Sequence, residues 1–353
     1  MDAVKFIIKA IIFALIGIII TCCITPMFIP RWDENYGGVG RRIRGMYNEP
    51  KDTIDVVMIG NSNIFNGISN MKLWNDKGIS SYTVATPQQS AWTSYYLLKE
   101  FYKRQSPKLM IIDADGLFKN KEDSKFFVKQ AADCMKVSKN KLDLINDPIY
   151  KNTLKSKINY IFPFFRYHSR WKSLKLKNVK KAYKQEDAQF KGYQFEKKIK
   201  AYKPLETVNQ EHRHKKKIKH QEEIIDTMPE NSQKYFEKIL ELCKQNNTEV
   251  LMVYIPTIGS WNKEKSAFLT QYAQEKEIPY IDYNLKEDFD WKKNTSDKGW
   301  HLNIYGAEII TGELEQTLDN YNLPNHKDDV SYKKWNQDYE LYTKLKENTK
   351  YKK

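Results

Sequence analysis

The chain has 353 residues, enough for one large α/β domain with an insertion or for two modest domains. Hydrophobic residues make up 41% of the chain and aromatic residues 13%, which supplies a packed core and excludes a chain that is disordered throughout. The formal net charge of +15 favours anionic partners such as acidic lipid headgroups, phosphate-rich polymers or nucleic acid, without choosing among them.

The N-terminal segment is predicted to span a membrane. From Phe6 to Ile29 the only charged residue is Lys9, and a bilayer core about 30 Å thick needs roughly 20 residues of apolar helix. A core helix of a soluble protein would show polar periodicity, which this run lacks. A cleaved signal peptide is the closer rival, although residues 21–25 match a cleavage site poorly. We therefore predict an uncleaved anchor at residues 1–29 and a linker at residues 30–52.

Five short apolar runs predict the strands of a parallel sheet, at residues 54–60, 82–85, 109–112, 250–255 and 280–283. Helix-compatible stretches lie between them at residues 91–104, 232–245 and 263–275, and a last helix is expected to run from just after residue 301 to about residue 319. Strands that alternate with helices predict a three-layer α/β domain, here at residues 53–322, whose ligands collect beyond the carboxyl ends of the strands.

The alternation breaks between about residues 117 and 230. This segment is rich in lysine, tyrosine and phenylalanine and contains basic clusters at residues 172–184 and 213–219. We interpret it as a helical insertion that covers or flanks the site. The basic clusters are more often solvated faces than binding sites, although lipid phosphate or an anionic polymer would suit them. Residues 323–353 are interpreted as a polar, peripheral tail.

A candidate nucleophile follows the first strand, in the sequence Gly60-Asn61-Ser62. A serine in a tight turn from strand to helix exposes its Oγ at the carboxyl edge of the sheet, where the N-terminus of a helix stabilises negative charge. Taken alone, a serine after a strand is more often a helix cap.

A candidate base, His301, lies in a loop that opens the predicted last helix. Histidine can accept a serine proton near neutral pH, and a carboxylate such as Asp297 would orient its other ring nitrogen. Taken alone, a surface histidine that caps a turn is the commoner explanation.

Together these segments resemble the SGNH (GDSL-like) serine hydrolases. The resemblance lies in DVVMIGNS at residues 55–62, YTVATPQQ at 82–89, PKLMIID at 107–113, FRYHSRW at 165–171 and HLN at 301–303. It covers roughly residues 55–318 and is sparse within the insertion. The sequence looks most like a membrane-anchored bacterial branch related to the D-alanyl transfer protein of teichoic acid synthesis and to alginate acetylation proteins. The resemblance implies the flavodoxin-like SGNH hydrolase fold.

The resemblance also implies a covalent acyl-serine mechanism. Ser62 would attack an ester or thioester, His301 would act as base and then as acid, and Asp297 would hold the imidazole. Backbone amides at Ser62 and near residue 85 would stabilise the oxyanion. The residues expected to line the site and its oxyanion hole are Asn61, Ala85 and Gln88. No cysteine and histidine cluster has the spacing of a zinc site, and we expect no metal and no cofactor.

The acid departs from the family pattern. It normally lies three residues before the histidine, where this chain has Lys298, whereas Asp297 lies four residues before His301. Either a one-residue bulge at Gly299 restores the geometry or another carboxylate, such as Asp290, takes the role.

The oxyanion side departs as well. Asn61 replaces the usual aspartate, and Ala85 stands where the family has glycine. His168 and Arg170 are predicted either to pack the insertion on the core or to line an acceptor groove.

We expect an extracytoplasmic, membrane-anchored acyltransferase or esterase that takes part in O-acylation of a cell-envelope polysaccharide or teichoic-acid-like polymer. The positive-inside rule is nearly balanced here. We favour an external main domain because an N-terminal tail of a few residues is easily retained inside and because of the resemblance. The expected partners are a membrane-bound O-acyltransferase and an anionic or neutral envelope glycan as acceptor. Nucleic-acid binding is not expected. The alternatives are a deacetylase that uses water as acceptor and a catalytically inert assembly or polymer-binding subunit.

Overall fold

A computed structural model describes residues 2–32, 38–119, 121–175, 179–180, 182–184, 187–201 and 226–348. The chain begins with helix α1 (Asp2–Phe28), whose apolar side chains are exposed along most of its length. Among the described residues, one helix is long and apolar enough to cross a membrane, the stretch Ala3–Phe28 within α1. A signal sequence would pass the same test of length and composition.

Five parallel strands form the central sheet, in the order β2-β1-β3-β4-β5. The strands are β1 (Val56–Gly60), β2 (Ser81–Ala85), β3 (Leu109–Asp113), β4 (Glu249–Tyr254) and β5 (Tyr280–Asp282). This is the flavodoxin-like order, in which the direction of winding reverses between β1 and β3. The predicted parallel sheet is confirmed.

Helices cover both faces of the sheet. The described helices after α1 are α2 (Val39–Gly45), α3 (Ser62–Gly67), α4 (Asn70–Lys77), α5 (Ala91–Phe101), α6 (Lys121–Cys134), α7 (Lys139–Asn146), α8 (Leu154–Ile161), α9 (Phe164–Tyr167), α10 (Glu230–Gln245), α11 (Lys263–Glu275), α12 (Ile304–Leu318) and α13 (Lys333–Glu347). Alternate β1 side chains enter two separate cores. Val57 and Ile59 pack with α5 and α10, whereas Val56 and Met58 pack with α3 and most of α12. The predicted three-layer arrangement is confirmed.

The structure differs from the sequence prediction in the linker and in the tail. Within the predicted linker, α2 buries Val39 and Ile43 in the core. Within the predicted tail, α13 buries Trp335 and Tyr342, and the ring centroid of Trp335 lies 5.1 Å from that of Trp74. The buried side chains of α13 recur at helical spacing among lysines and other polar residues, so the composition of the tail concealed an apolar stripe.

The described part of the insertion between β3 and β4 is largely helical and contains α6 to α9. Its final described segment returns to the main domain, where Gln194 N–H donates to the Phe65 carbonyl at 2.8 Å and Lys200 N–H donates to the Thr295 carbonyl at 2.9 Å. The basic cluster at residues 213–219 lies outside the described residues, and the cluster at 172–184 is described in part.

We expect Trp335→Ala to lower the free energy of unfolding by about 3–5 kcal/mol, because it removes a buried indole that contacts Trp74. Urea unfolding of the full chain in detergent measures this change. Leu341→Ala is the matched control on the same helix, since Leu341 is 44% exposed, and its effect should stay within about 0.5 kcal/mol. Equal effects of the two changes would contradict the packing of α13 described here.

Candidate active site

Ser62 follows a tight turn whose first position, Gly60, only glycine can occupy. β1 ends at Gly60, whose φ is 153°, and a Cβ at this position would lie 2.8 Å from the Cβ of Asp113 on the neighbouring strand. The chain therefore passes close to β3 and enters α3 immediately, with half-buried Ser62 as its first residue. Asn61 caps this helix, because its Oδ1 accepts a hydrogen bond from Asn63 N–H at 2.9 Å.

Asn61 supports the turn from the interior. Its side chain is 1% exposed, and its Nδ2 donates a hydrogen bond to the carboxylate of Asp115. Both polar atoms of the amide are thus used inside the protein. The predicted contribution of Asn61 to the lining of the site stays a prediction, and its side chain supports the turn that carries Ser62.

Two buried carboxyl groups behind the turn have pKa values that are shifted in opposite directions. Burial and the negative charge of Asp115 raise the pKa of Asp113 well above its ordinary value. Burial also opposes ionisation of Asp115, but the cations of Lys119 and Lys265, together with hydrogen bonds, outweigh it and lower the pKa of Asp115 to about 2. Asp115 is therefore an ionised acceptor for Asn61 at neutral pH.

The loop before α12 brings a histidine and a carboxylate to Ser62. His301 Nε2 lies 2.8 Å from Ser62 Oγ, although the two residues are 239 positions apart. His301 Nδ1 lies 2.5 Å from Asp297 Oδ2, and Asp297 Oδ1 accepts a hydrogen bond from the His301 backbone N–H at 2.7 Å. The three side chains therefore form a continuous Ser–His–Asp chain of hydrogen bonds at the carboxyl edge of the sheet.

Two successive left-handed residues allow Asp297 to reach the imidazole. Lys298 has φ 69° and Gly299 has φ 97°, so the extra residue between acid and base is absorbed in a tight turn. Asp290, the alternative acid, instead accepts hydrogen bonds from the backbone N–H groups of Lys292 and Lys293 at 2.9 and 3.2 Å. Of these two carboxylates, Asp297 is the one that contacts His301.

Asp297 remains ionised beside the imidazole. Its partial burial raises its pKa, but hydrogen bonds and the charge interaction with His301 outweigh burial and hold the pKa below its ordinary value. A lowered pKa means that the carboxylate accepts from His301 at neutral pH and loses this role only as the pH falls through that lowered value.

Contacts outside the three residues hold the loop in place. Thr295 and Leu302 form an antiparallel bridge across its base. Thr257 Oγ1 donates to the Trp300 carbonyl at 3.0 Å, and Lys298 N–H donates to the Lys200 carbonyl at 3.0 Å. The loop that carries His301 is therefore tied both to the segment after β4 and to the end of the described insertion.

Ala85 and Gln88 lie at the same edge as Ser62. Ala85 ends β2 directly opposite Gly60, and its carbonyl accepts a hydrogen bond from Arg42 Nε at 3.1 Å. Gln88 is half-buried in the following turn, with φ 51°. Their predicted contribution to the site and its oxyanion hole stays a prediction.

Arg42 was not recognised from the sequence as part of this edge. It is 3% exposed, and its guanidinium carbon lies 3.7 Å from the centroid of the Phe65 ring, on the helix that begins with Ser62. The residue lies within the predicted linker, where an arginine is expected to be solvated. No sequence signal distinguishes it from its neighbours Arg41 and Arg44.

His168 and Arg170 make their contacts elsewhere. Arg170 donates a hydrogen bond to the carbonyl of Phe28, at the C-terminal end of α1. His168 is exposed, and its Nδ1 lies 3.0 Å from the Phe165 carbonyl. Arg170 thus contacts the end of α1, and the predicted alternative that either residue lines an acceptor groove stays a prediction.

Within the described part of the chain, no group of three or more histidine, cysteine, aspartate or glutamate residues is placed to hold a metal ion.

No protein-family model matches the sequence, and no curated protein matches it. Among solved structures, the chain is similar to a protein assigned as an acylhydrolase from Bacteroides fragilis, at 13% identity and a TM-score of 0.36, over 81% of this chain and 98% of the other. It is also similar to a GDSL-like lipase from Bacteroides thetaiotaomicron, at 12% identity and a TM-score of 0.37, over 80% and 98% of the two chains. A likeness this low carries no argument about function, which we argue from the site.

We expect Asn61→Asp to destabilise the protein by about 1–3 kcal/mol at neutral pH, because it places a second buried carboxylate against the ionised Asp115. The repulsion raises one pKa of the new pair in the folded state, so the loss of stability should shrink as the pH falls. Urea unfolding of the full chain at several pH values measures both effects.

The double variant Asn61→Asp with Asp115→Asn restores one carboxylate and one amide and should recover most of the lost stability. A double variant as unstable as the single variant would contradict the contact between these two side chains.

Proposed function

We propose that this protein is an SGNH-type serine esterase or O-acyltransferase in which Ser62 is the nucleophile, His301 the general base and acid, and Asp297 the group that orients the imidazole. The observation that carries the proposal is the pair of contacts at His301, 2.8 Å to Ser62 Oγ and 2.5 Å to Asp297 Oδ2. The order of the motifs along the chain, which resembles that of SGNH hydrolases, supports the same assignment.

The chemistry follows from this geometry. His301 Nε2 removes the Ser62 proton as Oγ bonds to the acyl carbon, and Asp297 stabilises the imidazolium that forms. The imidazolium then protonates the departing alkoxide, and the ester bond breaks to leave an acyl-serine. In the second half, His301 takes a proton from water or from a sugar hydroxyl as that oxygen bonds to the acyl carbon. The imidazolium then returns a proton to Ser62 Oγ as the bond between Oγ and the acyl carbon breaks. Backbone amides at Ser62 and near Ala85 are the proposed donors to the oxyanion.

The proposed setting is the outer face of a cell membrane. α1 anchors the chain, and the main domain acts on a cell-envelope polysaccharide or teichoic-acid-like polymer, supplied with acyl groups by a membrane-bound O-acyltransferase. The net charge of +15 suits an anionic acceptor.

Hydrolysis of an ester, with water as the acceptor, is the second candidate function. The two differ in the fate of the acyl-serine, so adding soluble glycan to an acetyl ester assay should divert acetyl groups from water to sugar if transfer is the function.

The role of Ser62 is tested by substitution in the full chain. Ser62→Ala and His301→Ala should each lower ester turnover by on the order of 10⁵-fold or more, and the double variant should be little worse, because the two residues act as one unit. Asp297→Ala should be milder, since it removes only the orienting group. Turnover of p-nitrophenyl acetate and labelling by a fluorophosphonate probe measure these effects.

Ser331→Ala is the control, because Ser331 is an exposed serine that hydrogen-bonds to Asp329. It should retain labelling and turnover. If cells with Ser62→Ala keep normal envelope acylation while deletion of the gene removes it, the catalytic assignment is wrong and an assembly role replaces it.

The proposed topology predicts that protease added to intact spheroplasts degrades everything after about residue 31 and leaves a short membrane-embedded fragment, because the main domain faces outward. Immunoblotting with tags at the two termini measures the outcome, and lysed spheroplasts show that the domain is cleavable. Full protection of the main domain in intact spheroplasts would place it inside and exclude an envelope substrate.

A further inference from the structure

Large apolar side chains are exposed where the main domain meets α1. They lie on residues 154–175, which include α8, α9 and the 3₁₀ turn His168–Ser173; together with Tyr183 we call this surface the collar. The exposed fraction is 74% for Leu154, 51% for Phe165 and 63% for Trp171. Several large apolar side chains exposed within one short stretch of chain are typical of a contact with a partner or a membrane.

The collar is attached to the end of α1. The Phe164 ring meets the Phe28 ring edge to face, with centroids 5.0 Å apart, and Arg170 donates a hydrogen bond to the Phe28 carbonyl. The Tyr183 hydroxyl donates to the Cys23 carbonyl at 2.6 Å. The collar therefore contacts the last turn and a half of the helix.

The length of α1 determines the depth of these contacts. Its 27 residues extend about 40 Å at 1.5 Å per residue, whereas the hydrocarbon core is about 30 Å thick. If the core begins near Phe6, where the apolar run starts, twenty residues end it near Thr25. The stretch from Pro26 to Phe28 then lies at the level of the lipid headgroups, and the collar residues that contact Phe28 lie there with it.

The charge of the collar matches anionic headgroups. From residue 148 to residue 185 the sequence contains no aspartate or glutamate, and the side chains of Lys155, Lys172 and Lys175 are exposed. Exposed tryptophan and phenylalanine beside lysines is the composition that proteins use at the membrane interface, where aromatic rings enter the headgroup layer and each nearby lysine is attracted by acidic lipid.

We propose that the collar lies on the membrane surface, with Phe165 and Trp171 in the headgroup layer and its lysines bound to the phosphates of acidic phospholipids. This inference rests on the membrane span in the proposed function and adds a second, peripheral attachment to it.

The test is photo-crosslinking of the full chain in phosphatidylglycerol vesicles, with p-benzoylphenylalanine in place of Trp171. Ultraviolet light should give a lipid adduct, detected by mass, and phosphatidylcholine vesicles should give several-fold less. Changing Lys155, Lys172 and Lys175 together to glutamate should reduce the adduct several-fold, with turnover of a soluble ester unchanged.

Two control positions separate the outcomes. Val330 is 83% exposed but neighbours Asp328 and Asp329, and the probe there should give no lipid adduct. Phe13 lies within α1 and should give one. Adduct at position 13 without adduct at position 171, or an adduct of position 171 with a protein, overturns the collar proposal and leaves the span intact. Absence of adduct at both positions overturns the span and the collar, whereas esterase activity tests Ser62 separately.

Discussion

Strand β1 ends at Gly60, where the backbone lies so close to the Asp113 side chain that a residue with a Cβ would not fit. This constraint places Ser62 at the winding reversal between β1 and β3, where parallel strands open a crevice at their carboxyl ends. The loop before α12 lies at the same edge of the sheet, so His301 contacts Ser62 although the two residues are 239 positions apart in the sequence. The hydrogen bonds of the site are thus consequences of sheet order and of one close backbone approach.

Three carboxyl groups near this edge have pKa values that their different surroundings shift in different directions. Asp113 is buried beside another acid, and its pKa rises. Asp115 is equally buried but faces lysines, and its pKa falls. Asp297 is more exposed, and its contact with His301 holds its pKa low. Asp115 and Asp297 are consequently ionised acceptors, one for the amide of Asn61 and the other for His301.

The strands could be predicted because buried parallel strands appear as uninterrupted apolar runs. The observed bounds differ from the predicted runs by one residue at one end of β3 and by one residue at each end of β4. Ser62 and His301 could be proposed because Ser62 directly follows the first apolar run and His301 directly precedes the predicted last helix. The contact that supports the turn could not be predicted, because Asn61 and Asp115 meet only when β1 pairs with β3 in the sheet. Arg42 could not be predicted because its contacts with Ala85 and Phe65 form only in the folded chain. Helix α13 was not predicted because lysines outnumber its buried aromatic residues.

A single helix fixes a domain to a membrane but leaves it free to tilt toward or away from the bilayer, so a site on that domain would sample many heights above the surface. A second attachment beside the helix restricts this tilt. Under the proposals made here, the collar supplies that attachment, and Arg170 and Tyr183 couple it rigidly to α1. Ser62 would then hold one height and one tilt relative to the bilayer, which favours transfer from a donor held in the same membrane over capture of freely diffusing esters.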